Sequence, residues 1–186
     1  MRRRVFVLPA AAAIIAAMVW YKLSQEHPNG TVPSAAPVPV APAPDFEALD
    51  SDNSITRLKT WLGRHQLFVV FFSRDTGAAE DAVLQHLKEH SEALARADFR
   101  VLAISSALPQ ENRSAEFPSS FSVLTDPEPA CTIHRQWGCF DEEASRPTPG
   151  LFHIDRAGNV ATVNGVPVPL ERPNEQIDRL LGVSHQ

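Results

Sequence analysis

Short, wholly apolar runs along this chain alternate with longer stretches in which apolar residues recur every three or four positions. Leu67-Phe68-Val69-Val70-Phe71-Phe72 is apolar throughout, which suits a central strand covered on both faces rather than one with a wet side. From Gly77 to Ala97 the spacing changes. Val83, Leu84, Leu87, Ser91 and Leu94 share a face and predict one long helix. Glu80 and Asp81 stand in its first turn, where the dipole favours them, and Asp75 or Thr76 is the expected cap. Phe99 to Ile104 and Phe121 to Leu124 are further strands, and Thr125-Asp126-Pro127-Glu128 reads as the start of a helix that ends near Gly138. Leu151–Ile154 and Val160–Val163 are strands joined through Asp155-Arg156-Ala157-Gly158-Asn159, a hairpin connection. Asn174 to Leu181 suits a terminal helix. Upstream, Ser54 is expected to cap a short turn that puts Ile55, Leu58, Trp61 and Leu62 on one face and stops at Gly63. Strands alternating with helices and finishing in a hairpin predict an α/β domain, with an open mixed sheet between helical layers.

The first 44 residues follow another pattern. Arg2, Arg3 and Arg4 precede an uncharged stretch from Val5 to Tyr21, about the minimum of ~17 residues that spans a bilayer as a helix. The sequence therefore divides into a cytoplasmic stub over residues 1–4, a signal-anchor over 5–23, a Pro/Ala-rich linker over 24–44 and a globular domain over 45–186. The arginines are expected to stay cytoplasmic, placing the domain on the extracytoplasmic, periplasmic side, with Trp20 and Tyr21 at the interface. A cleaved signal peptide shares this layout, but Met18, Trp20, Tyr21 and Lys22 leave no small-x-small cleavage site, which favours the anchor. Pro28, Pro33, Pro37, Pro39, Pro42 and Pro44 make the linker an extended spacer, reaching roughly 50 Å at ~3.1 Å per residue.

The net charge of −5, with no basic stripe beyond the N-terminal arginines, excludes a nucleic-acid partner. Two cysteines, Cys131 and Cys139, are too few for a disulfide-built scaffold and too widely spaced for a four-ligand structural zinc site. Their separation allows three readings: two buried small side chains, a disulfide, or a redox centre. Along an unbroken helix their Cα atoms would be about 12 Å apart at ~1.5 Å per residue, so a disulfide requires a break at Gly138. His86 and His90, four apart with Glu89 between, could share a metal. With no third ligand identified they read as the polar flank of the long helix, and neither a metal nor a cofactor is expected. His153, in a central strand, reads as a satisfied core histidine.

Pro44-Asp45-Phe46, Leu58 and Gly63 before Val69-Val70-Phe71-Phe72, Leu124-Thr125-Asp126-Pro127, Trp137-Gly138, and Thr148-Pro149-Gly150-Leu151-Phe152-His153-Ile154-Asp155 with Gly158 stand in a telling order. Together they resemble the redoxin branch of the thioredoxin superfamily, which includes the alkyl-hydroperoxide-reductase/thiol-specific-antioxidant (AhpC/TSA) proteins, peroxiredoxins and membrane-tethered thiol–disulfide oxidoreductases. The resemblance implies a thioredoxin-like three-layer α/β/α sandwich and places the family's reactive turn at Ser73 to Ala79. Thr76-Gly77-Ala78-Ala79 then stands where an oxidoreductase has C-x-x-C. Against the peroxiredoxins, Thr76 matches the active-site threonine and Ala79 the peroxidatic cysteine. Neither side chain can form a thiolate, so peroxide reduction and disulfide exchange are excluded at this turn. Pro149 matches the family's cis-proline facing that turn. Arg74 and Thr76, with Arg146 approaching across the fold, are the candidates for holding an anion or a peptide carboxylate, against a simple capping role for Asp75 and Thr76. The expected partners are the membrane, through the N-terminal segment, and a peptide, protein or small anion bound in a groove between Thr76 and Pro149, lined by Phe72, Trp61 and Pro149. The alternative is an active oxidoreductase or peroxidase using Cys131 and Cys139.

Overall fold

The computed structural model describes residues 38–112 and 116–183. The expected stub, anchor and most of the linker lie outside the described residues, and among those described no helix is long and apolar enough to cross a membrane.

Among the described residues there are eleven strands: β1 (Val40–Pro42), β2 (Glu47–Asp50), β3 (Ile55–Arg57), β4 (Gln66–Phe71), β5 (Phe99–Ser105), β6 (Phe121–Thr125), β7 (Phe140–Asp141), β8 (Arg146–Pro147), β9 (Gly150–Ile154), β10 (Asn159–Val163) and β11 (Val166–Pro167). The helices are α1 (Ala82–Glu89), α2 (Ser91–Arg96), α3 (Thr132–Gln136) and α4 (Pro173–Leu181), with a 3-10 turn at Leu58–Thr60. The main sheet runs β1-β10-β9-β4-β5-β6-β2-β3, with β11 on β10. β4, β5 and β6 are parallel, whereas β9, β10, β1 and β2 add antiparallel, so the sheet is mixed as the sequence predicts.

The unbroken apolar run of β4 has the expected cause. Leu67, Val69 and Phe71 face a core that includes Ile133 and Trp137 of the α3 region. Phe68, Val70 and Phe72 face the opposite core, with Leu84 and Leu87 of α1, Leu94 of α2 and Ile177 of α4. A strand buried on both faces has no place for a polar residue, which is why alternation is absent from its sequence. The β9–β10 hairpin also forms as predicted. Asn159 N–H donates to Asp155 Oδ1 at 2.8 Å, and Gly158 takes a positive φ of 85°.

Four local expectations are corrected. Ser54 caps no turn: Ile55–Arg57 is a strand paired with β2, and Ser54 N–H instead donates to Asp50 Oδ1 at 2.8 Å, closing the β2–β3 hairpin. The long helix over 77–97 starts later and is broken into α1 and α2 at His90, whose ψ of 20° leaves the helical region. Thr125-Asp126-Pro127-Glu128 leads into turns, and α3 begins only at Thr132 after Cys131 adopts a left-handed φ of 41°. Finally, the linker over 24–44 stops short of residue 44. Val40–Pro42 pairs with Ala161, Val160 and Asn159, a location open to proline because an edge strand tolerates a missing N–H.

Candidate functional site

The turn after β4 is built by Ser73. Asp75 N–H donates to Ser73 Oγ at 3.2 Å, and Gly77 N–H donates to Ser73 O at 3.0 Å with Gly77 at φ 71°. A second turn follows over 78–80 before α1 begins. The cap of α1 is Asp81, whose Oδ1 accepts from the N–H groups of Val83 and Leu84 at 3.0 Å each. Asp75 and Thr76 are therefore not caps. Thr76 and Ala79, the matched reactive-turn positions, are exposed on these turns.

Arg74 and Arg146 do come together. A cleft of about 440 Å³ is lined by Ser73, Arg74, Asp75, Ser106, Glu128 and the segment Arg146–Pro149. Thr76 is not part of it. Nor are Phe72 and Trp61: Phe72 is buried in one core and Trp61 packs against the other, so the lining is polar rather than aromatic. Arg74 is held by carboxylates, with Nη2 donating to Glu111 Oε1 at 2.9 Å and Nη1 3.9 Å from Glu128 Oε2. Glu128 Oε1 accepts from Ser106 Oγ at 3.0 Å. The Leu108 N–H and the Arg74 guanidinium hold the Glu111 carboxyl below its usual range. Arg146 reaches the cleft on the β7–β8 hairpin, and among the described residues its guanidinium has no hydrogen-bond or ion-pair partner.

The bond before Pro149 is trans, because the cis X–Pro bond among the described residues is Glu128–Pro129. Thr148 N–H donates to Cys139 O at 2.9 Å. Pro149 is exposed in the cleft beside Arg146.

Both cysteines are free and buried, Cys131 at 0 % and Cys139 at 2 % exposure. They flank α3, one before Thr132 and one after the Gly138 turn, so the helix that separates them is intact. Burial pushes the Cys139 thiol up to about 12. Its sulfur packs so tightly on Gly150 that a Cβ there would sit 2.9 Å away. Burial, and then the carboxylates of Asp126 and Glu128, also raise Cys131. A thiol that must ionise to react needs the opposite surroundings.

Three features went unread in the sequence. His134 is fully buried, and both its backbone N–H (2.8 Å) and Nδ1 (2.7 Å) meet Asp126 Oδ2. His86 of α1 and His90, at the break between α1 and α2, meet Asp178 of α4, with Nε2 to Oδ1 distances of 2.8 and 3.4 Å. Arg74 is claimed by Glu111 and Glu128. The readable signal was Asp178 itself, an acidic residue beside Ile177 on the apolar stripe of the last helix, since buried carboxylates are almost always partnered. His153 is the half-buried core histidine expected, its Nε2 3.2 Å from Gln66 Oε1.

A mixed sheet between helical layers, with parallel β4-β5-β6 and the β9–β10 hairpin on the other flank, is the thioredoxin-like α/β fold, and solved peroxiredoxins share it. The mitochondrial 2-Cys peroxiredoxin of Plasmodium falciparum aligns with TM-score 0.55 and 20% identity, covering 76% of this chain and 90% of that one. Peroxidoxin BcpB of Mycobacterium tuberculosis aligns with TM-score 0.58 and 17% identity over 77% and 93%. The model of the AhpC/TSA family matches residues 39–163, and the chain belongs to that family of redoxin, peroxiredoxin-like thiol antioxidant proteins. Alkyl hydroperoxide reductase E of Mycobacterium tuberculosis is similar at 26% identity over 143 residues, 76% of this chain and 90% of that protein, and the same protein of Mycobacterium bovis matches equally.

Proposed function

We propose that this chain is a membrane-anchored, extracytoplasmic member of the AhpC/TSA family that has lost thiol chemistry at its reactive turn and works by binding. The ligand is a peptide, a partner protein or a small anion that offers a carboxylate to the cleft between Ser73–Asp75 and Arg146–Pro149. The observation that carries the reading is Arg146: a partnerless guanidinium in a polar cleft beside the turn, where charge-assisted, two-pronged recognition of a carboxylate needs one. Thr76 and Ala79, in place of sulfur, support the loss of redox chemistry. The anchor rests on the arginine-flanked apolar stretch over residues 5–23.

The second reading, a peroxidase or thiol–disulfide oxidoreductase working through Cys131 and Cys139, has the family membership and the presence of two thiols in its favour. Their burial and raised pKa values oppose it.

Two measurements on the same preparation separate the readings. Peroxide consumption and insulin reduction are expected to show no turnover, and any turnover abolished by Cys131→Ser or Cys139→Ser establishes the enzyme instead. A short unstructured peptide with a free C-terminal carboxylate is expected to bind more tightly than its amidated form. Arg146→Ala should weaken that binding about 10- to 100-fold, the equivalent of one charged hydrogen bond of ~1.5–3 kcal/mol. Equal affinity for the two peptides removes the carboxylate from the proposal.

A further inference from the structure

The imidazoles of His86, in the last turn of α1, and His90, which caps it, project toward one carboxylate supplied by α4. Their ring planes are 78° apart with centroids separated by 4.7 Å, so the two Nε2 atoms converge on Asp178 Oδ1 from different directions. The three potential ligand atoms all lie within 4.8 Å of one another. One hydrogen bond accounts for the 2.8 Å contact. The second, at 3.4 Å, is long for an N–H···O bond and adds little to an ion pair.

The same spacing fits another occupant well. Around a tetrahedral zinc ion with bonds of ~2.0–2.1 Å, neighbouring ligand atoms are about 3.3 Å apart. The two observed Nε2–Oδ1 separations, 2.8 and 3.4 Å, lie within about half an ångström of that value, and the imidazole nitrogens, within 4.8 Å of each other, close the triangle by turning toward the ion. The Asp178 side chain is 4% exposed, His86 15% and His90 25%. The carboxylate is thus the buried member of the set, while both imidazoles are partly exposed to solvent. Two imidazole nitrogens, one carboxylate oxygen and an open fourth position form a donor set suited to borderline-soft divalent ions.

We propose that His86, His90 and Asp178 form a binding site for a divalent transition-metal ion, Zn²⁺ being the best fit, with water as fourth ligand. The bound ion joins α4 to α1. It stands apart from the cleft and is independent of how the reactive turn is read.

The test uses the full chain, stripped with a chelator and titrated with ZnCl2 in a calorimeter, with Co²⁺ as a spectroscopic probe. Binding of one zinc per chain, with micromolar or tighter affinity, is expected, together with the visible absorption of tetrahedral Co²⁺ and a zinc-dependent rise in melting temperature. His86→Gln and His90→Gln should each weaken zinc binding at least about tenfold and abolish the zinc-dependent rise. His90, the more exposed ligand, carries the comparison if His86→Gln fails to fold. Absence of saturable one-to-one binding overturns the proposal and leaves a His–Asp ion pair only. Binding that is unchanged in both variants also overturns it, since the metal would then sit elsewhere on the chain.

Discussion

His153 lies on β9 near the rings of Phe68 and Phe99, with ring centroids 5.9 and 5.6 Å away. Burial, only partly opposed by Asp155, holds its pKa below the ordinary 6.5. The unfolded chain therefore takes up a proton that the folded chain resists, and stability declines as pH falls below about 6.5, down to the folded pKa. Asp98, depressed chiefly by its hydrogen bond from His65, and Glu111, depressed chiefly by Leu108 N–H, act lower. Their stabilisation is present above the ordinary carboxylate values and lost as pH falls through the folded ones. Thermal melts across the mildly acidic range should show the first decline in the parent chain and a flatter profile in His153→Gln. A parallel decline in both would assign it to another group. At this scale the sequence singled out Arg74 and Arg146, which share one cleft, but not the groups around them. Arg74 and Arg146 meet in one cleft, yet which carboxylate holds a guanidinium depends on Glu111 and Glu128, 37 and 54 residues along from Arg74. No local pattern encodes such a pairing.

The helix after the reactive turn shows what periodicity can and cannot resolve. Val83, Leu84, Leu87 and Leu94 keep their three- and four-residue spacing across the break at His90, because α2 resumes at the next residue in nearly the same phase. Apolar spacing is blind to such a dislocation. Capping is likewise decided by geometry: Asp75, Thr76 and Asp81 are all competent types, and the Ser73-centred turn uses up the first two positions. Asp81→Ala should cost about 1 kcal/mol, within the ~0.5–2 range for lost caps, measured as the change in chemical unfolding free energy. The equivalent change at Thr76, which caps nothing, should be near neutral. The β2–β3 hairpin escaped the sequence for a related reason. Its strands of four and three residues are too short to display a period, and Asp50 bonds its own loop where Ser54 would have served as a helix cap.

Across the whole sheet, the parallel β4-β5-β6 core was legible because wholly apolar runs leave few alternatives, while the edges were not. Val40–Pro42 reads as linker by composition, yet it closes the β10 edge, with Ala43 N–H donating to Gly158 O at 2.9 Å and Thr162 N–H to Pro39 O at 2.8 Å. A fragment beginning at Val38 should therefore be more stable than one beginning at Asp45. A deficit of about 1 kcal/mol would lower the melting temperature by about 2–4 °C for a chain of this size; equal melts would make β1 dispensable. The enclosed sulfurs carry a practical consequence as well. Because Cys139 is packed against Gly150 of β9, and Cys131 is buried at the head of α3, a water-borne alkylating agent meets them only in chains that have opened. The pace of labelling then counts openings, and the domain carries its own clock of conformational escape.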